Sequence, residues 1–330
     1  MPKGAFIFGC EGPELSAWEK AFFRDAQPWG FILFARNIVE PEQLIRLTRD
    51  LREAVGWNAP ILIDQEGGRV QRMRAPHWRE FLPALDQMRL ARDPMRAQWV
   101  RNRLIANDLS SVGIDVNCAP LADLTESETH PVLLNRLYGG DVETVVAAAR
   151  QCADAFLAGG VLPILKHIPG YGRASVDSHK ALPSVSIPRA ELFERDFAPF
   201  IALNDLAMGM TAHIVFSDID PEAPATTSPR MMTLIREEIG FGGLIMTDDI
   251  SMEALSGSVE ERGVAALRAG CDLVLHCNGE RADMEAIART CGSLSAAGQD
   301  RAEYALSQRR PPETVDIKAL EAELEALLVR

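Results

Sequence analysis

The 330-residue chain is predicted to be an α/β protein, a (β/α)8 TIM barrel forming a single domain over residues 1–330 with an extra C-terminal helix. Three observations predict it. Eight short, nearly continuous apolar runs recur along the chain, as expected of strands buried on both faces of a parallel sheet. Helical patterns with readable ends alternate with these runs. No linker or low-complexity stretch divides the chain, and a barrel of this type uses about 250 residues and tolerates insertions. The competing arrangement is a doubly wound open sheet. Its dinucleotide fingerprint should follow the first strand, where the residues are GCEGPE rather than GxGxxG.

The strands are expected at 5–9, 30–35, 60–64, 114–118, 161–166, 207–211, 243–247 and 271–276. Pro41 occupies a helical first turn ahead of EQLIRLTRDLREAV. Asp93-Pro94 opens a helix running to Ser111, with Gly113 just beyond it, and Asp141 precedes VETVVAAARQCADAFLA, stopped by Gly159-Gly160. Ser228-Pro229 starts MMTLIREEI, closed by Gly240. Ser258 and Glu261 form a capping-box pattern before VAALRA and Gly270. Residues 315–330 read as an amphipathic helix packed outside the barrel.

A 47% hydrophobic fraction supplies a sizeable core, and the net charge of −13 argues against broad phosphate-backbone binding, so no nucleic-acid partner is expected. Six cysteines, at 10, 118, 152, 271, 277 and 291, lack CxxC pairs and fit a reducing compartment. The N-terminal residues lack the apolar stretch of a signal peptide, and no run of about 18 apolar residues suggests a membrane span. The expectation is a cytoplasmic protein acting as a monomer, because no long apolar surface stripe stands out.

In such barrels chemistry gathers where strands end at the C-terminal face. After strand three come Asp64, Glu66, Arg69 and Arg72; after strand five, Lys166 and His167; after strand six, His213; after strand seven, Asp248 and Asp249. Burying one unpaired charge costs several kcal/mol, so charges repeated at strand ends indicate a site more readily than packing. The connection 167–187 is long for a βα loop, where about 2–6 residues is common. It carries Gly170, Gly172 and the pair Asp177 and His179. An aspartate beside a histidine can fix its tautomer and stabilise the cation, although a solvated loop with an incidental histidine is the alternative. The histidines at 77, 130, 167, 179, 213 and 276 form no HxH pair after strand one and no HExxH, so neither a metal nor another cofactor is expected.

KHIPGYGRASVDSH (166–179), DQEGGRVQR (64–72) and MTDDISM (246–252) together resemble the bacterial N-acetylglucosaminidases of glycoside hydrolase family 3, in particular the single-domain type that recycles peptidoglycan fragments. The resemblance runs in order along the whole chain. It implies Asp248 as nucleophile, His179 as acid/base and Asp177 as the carboxylate orienting that histidine. It further implies that Asp64, Arg72, Lys166 and His167 hold sugar hydroxyls, with Arg136 as a further substrate arginine. Thr247 stands where relatives often carry serine, and the LNRLY context of Arg136 departs from the family's smaller residues. The implied substrate is a saccharide or muropeptide with terminal N-acetylglucosamine.

The chemistry suits these groups. Retention needs a nucleophile below the anomeric carbon and an acid above the leaving oxygen. A strand-end aspartate has little positional freedom, and nearby Lys166 is expected to keep it ionised. A histidine can be cationic as acid and neutral as base near neutral pH, and it spares Asp248 a second carboxylate. Three alternatives stand. The 2-acetamido group could itself attack with Asp249 polarising it; phosphate could replace water; or Lys166 could form a Schiff base in a lyase or aldolase.

Overall fold

The computed structural model describes residues 2–174 and 181–328. Among these, eleven strands run in chain order: β1 Gly4–Gly9, β2 Pro28–Leu33, β3 Ile61–Ile63, β4 Val116–Asn117, β5 Leu162–Pro163, β6 Leu165–Ile168, β7 Ser184–Val185, β8 Met208–Thr211, β9 Val215–Phe216, β10 Leu244–Asp249 and β11 Leu273–His276. Nine form one parallel sheet in the order β5-β4-β3-β2-β1-β11-β10-β8-β6. Its two end strands are separated in the chain only by Ile164, so the sheet closes on itself as a TIM barrel. The predicted fifth strand is thus two strands. Ile164 N–H still donates to the Asn117 carbonyl on the β4 side (3.1 Å), whereas Leu165 already pairs with Gly209 of β8.

The alternation of side chains explains the unbroken apolar runs. Ile7, Ile32, Leu62, Met210, Met246 and Leu275 point into the barrel, while Phe6, Phe8, Phe31, Leu33, Ile61 and Ile63 face the helical layer. Strand four is shorter than expected, Val116–Asn117, and Asp115 just before it accepts from the Ile61 N–H with its carboxylate (2.8 Å).

The expected helix ends are present. Asp93 caps Pro94–Ser111 through Arg96 N–H (3.0 Å), Asp141 caps Val142–Ala158 through Thr144 N–H (2.8 Å), and Ser258 forms the capping box of Val259–Ala269. The C-terminal helix spans Ile317–Leu328 and is fastened to the preceding layer by Arg96–Glu323 (2.6 Å) and Arg79–Glu321 (2.6 Å). All six cysteines are free and buried. A small parallel pair, β7 with β9, lies outside the barrel sheet, and no described helix is long and apolar enough to cross a membrane.

Candidate active site

The segment after β3 folds back as a tight hairpin. Gln65 closes it by accepting from the N–H groups of Arg72 (2.8 Å) and Met73 (3.1 Å), and Glu66 N–H donates to Val70 (2.9 Å). Gly67 adopts φ +98°, and a Cβ there would stand 2.0 Å from Arg101 Nη2, so this turn admits only glycine. The hairpin returns Arg72 to Asp64, Nη2 to Oδ2 at 3.1 Å. Arg72 lines a cavity, and its buried Nε has no partner among the described residues.

Lys166, in β6 and 2% exposed, reaches Asp64 Oδ1 (3.1 Å) and Glu66 Oε1 (2.6 Å). Arg136 follows the short helix Pro131–Leu134 and grips Glu66 with two bonds of 2.9 and 2.8 Å. The result is a chain of alternating charge, Arg72–Asp64–Lys166–Glu66–Arg136. Burial alone would raise both carboxyls, but their cationic neighbours outweigh it. Lys166 and Arg72 hold Asp64 well below the carboxylate range, and Arg136 and Lys166 bring Glu66 down to about 2.

Asp248 lies near the end of β10, with Oδ1 accepting from Asp249 N–H (2.8 Å). Burial pushes its carboxyl up, and His167, His213 and the Asp249 N–H together pull it below its ordinary value. Lys166 pulls in the same direction, as expected, although its ammonium is bonded to Asp64 and Glu66. Burial also lowers His213. Its ring donates from Nε2 to the Asp249 carbonyl (3.0 Å) and meets the Thr226 hydroxyl at Nδ1 (2.7 Å). The Asp249 carboxylate is occupied by Ser251 O–H (2.6 Å), Ser251 N–H (3.1 Å) and Cys277 N–H (3.3 Å), which leaves it poorly placed to polarise an acetamide.

His167 is oriented by Asp123, whose buried carboxylate meets Nδ1 at 2.8 Å and accepts from the Tyr171 N–H at 2.7 Å. Replacing Asp123 with alanine strands these donors in a buried site. Asp123→Ala is expected to destabilise the protein by about 2 kcal/mol or more, read as a lowered denaturation midpoint; an unchanged midpoint would refute the role.

Asp64, Arg72, Arg136, Lys166, His167 and Asp248, six of the eight predicted site residues, line one cavity of about 340 Å³ at the barrel mouth. The other two, Asp177 and His179, lie outside the described residues. His213, Phe34 and Tyr171 also line the cavity, and Glu66 and Asp123 support it from behind. Asp123 follows the fourth strand, so the strand-end rule applied there would have found it. Glu66 stood in the quoted motif without a role. No described group of three or more His, Cys, Asp or Glu is placed to hold a metal ion.

Residues 14–305 match the glycosyl hydrolase family 3 N-terminal domain. The chain is 36% identical over 277 residues to a beta-hexosaminidase of Methylococcus capsulatus, covering 82% of each, and 34% identical over 287 residues to one of Bordetella parapertussis, covering 84% of this chain and 81% of the relative. NagZ from Neisseria gonorrhoeae, solved with N-trifluoroacetyl-D-glucosamine, superposes with a TM-score of 0.88 at 29% identity, covering 100% of this chain and 99% of that one.

Proposed function

The chain belongs to glycosyl hydrolase family 3 and is a β-N-acetylhexosaminidase, and from that premise we propose that it is a retaining exo-β-N-acetylglucosaminidase using Asp248 as nucleophile. His179, oriented by Asp177, is the acid/base of this reading. Asp64, Arg72, Lys166, His167 and Arg136 hold the terminal sugar. The substrate proposed is a muropeptide fragment in which N-acetylglucosamine is linked to 1,6-anhydro-N-acetylmuramic acid. Residues 1–330 work as one catalytic domain, as a monomer, in the cytoplasm.

One observation carries the reading: a half-buried carboxylate at a strand end, held below its ordinary value, shares a small cavity with a wall of charged hydrogen-bonding groups. About 340 Å³ lies near the lower end of the range for ligand pockets, roughly 300–1,000 Å³, which suits a single terminal ring. The polar wall suits a ring of hydroxyls, and a strand-end carboxylate in the same cavity supports Asp248 as the nucleophile. Burial lowers Lys166, but Glu66 and Asp64 outweigh it and hold the ammonium protonated, which is unfavourable for Schiff-base chemistry.

The test compares an aryl β-N-acetylglucosaminide with the matching glucoside, with and without phosphate. We expect turnover of the N-acetylated donor, free N-acetylglucosamine as product, and retained anomeric configuration by NMR. A faster glucoside would overturn the sugar assignment. Phosphate-dependent formation of a sugar 1-phosphate would identify a phosphorylase on the same site, and an inverted product would exclude the covalent route.

A further inference from the structure

Glu66 is nearly absent from the cavity surface, its side chain being 5% exposed, yet its two oxygens bind two of the cations that line it. Oε1 meets Lys166 Nζ at 2.6 Å and Arg136 Nη2 at 2.8 Å, and Oε2 meets Arg136 Nε at 2.9 Å. Its backbone is fixed on both sides. The N–H donates to Val70 (2.9 Å), and the carbonyl accepts from Arg101, a guanidinium 1% exposed whose other partner is Gln87 (3.1 Å). The bare Cα of Gly67 makes room for Arg101 beside it.

Charge counting shows what this carboxylate does. Arg72, Lys166 and Arg136 supply three positive charges; Asp64, Glu66 and Asp248 supply three negative ones. Without Glu66 the cations of this set outnumber its carboxylates, with Lys166 buried and Arg136, Arg72 and Asp64 half-buried. A buried cation that loses its partner turns to the nearest remaining anion. The other anions whose field Arg136 feels are Asp64 and Asp248. Resting on the glycosidase reading above, we propose that Glu66 is a positioning residue: it holds Lys166 and Arg136 where they meet the sugar and keeps both off the Asp248 nucleophile.

The experiment compares Glu66→Gln, which keeps shape without charge, and Glu66→Asp, which keeps charge on a shorter arm. Activity on the aryl N-acetylglucosaminide is normalised to sites trapped by a slow fluorinated N-acetylglucosaminyl donor, so unfolded protein does not count. For Glu66→Gln we expect kcat per trapped site to fall about 100-fold and free N-acetylglucosamine to bind about tenfold more weakly. Glu66→Asp should recover about tenfold of the lost rate. A Gln variant close to native per site, or equal losses in both variants, would overturn the proposal. If Glu66→Gln does not fold, Glu66→Asp decides: a rate within about tenfold of native supports it, and any larger loss overturns it. A native enzyme inactive on this donor would sink the parent reading, and this one with it, before any variant is compared.

Discussion

Asp248→Asn is expected to lower kcat on an aryl β-N-acetylglucosaminide by about 10⁴-fold or more, with KM changed far less. The amide nearly preserves volume and can still accept from the Asp249 N–H, so the cavity keeps its shape. On the proposed mechanism, what disappears is the anion that attacks the anomeric carbon and then leaves as a carboxylate. The native group is suited to that task because His167, His213 and the Asp249 N–H overcome the effect of burial and keep it ionised. The sign follows directly: a carboxyl held below its ordinary value stays charged as pH falls through the range where a free aspartate takes up its proton. A rate loss at mildly acidic pH therefore reports another group. Residual turnover within a hundredfold of native, after mass spectrometry excludes deamidation, would point to a different nucleophile.

The second large effect falls on His179. On the proposed mechanism, its replacement by alanine removes a proton donor whose worth depends on the leaving group, about 10²–10⁴-fold for general acid catalysis. An alkyl or saccharide aglycone needs that proton, whereas a dinitrophenolate departs without it. His179→Ala should therefore cost about 10³-fold on the poor leaving group and tenfold or less on cleavage of the activated bond, measured by kcat/KM. Equal losses on both donors would sink the acid/base assignment. The chain leaves the described structure at Ala174, whose carbonyl accepts from the N–H of cavity-lining His130 (3.1 Å), and Pro183 beyond it accepts from Val215 (2.9 Å).

Much of the barrel was legible because its strands are buried on both faces and therefore read as unbroken apolar runs. Caps such as Asp93, Asp141 and Ser258 sit beside the backbone N–H groups they satisfy, so their function is written in adjacent residues. The division of the fifth strand at Ile164 was not legible. It follows from barrel closure, where the same run must pair with β4 on one side and β8 on the other. Among the candidate site residues, Asp64, Arg72, Lys166, His167 and Asp248 were marked by strand-end position and Asp177 and His179 by the long loop, and the motif resemblance supplied Arg136 and the individual roles.

Local order in the chain decided which segments form strands and helices, and which polar residues stand at the barrel's C-terminal mouth. The spacing of apolar and capping residues acts over a few positions, and that is as far as it reaches. Partnership across the mouth was decided only in three dimensions: Glu66 with Arg136 is 70 residues apart, Lys166 with Asp64 is 102, and His167 with Asp123 is 44. Buried charges choose partners by distance and geometry in a low-dielectric interior. For that reason Lys166 is bonded to Asp64 and Glu66, while His167 and His213 act on Asp248 most strongly among the charges around it.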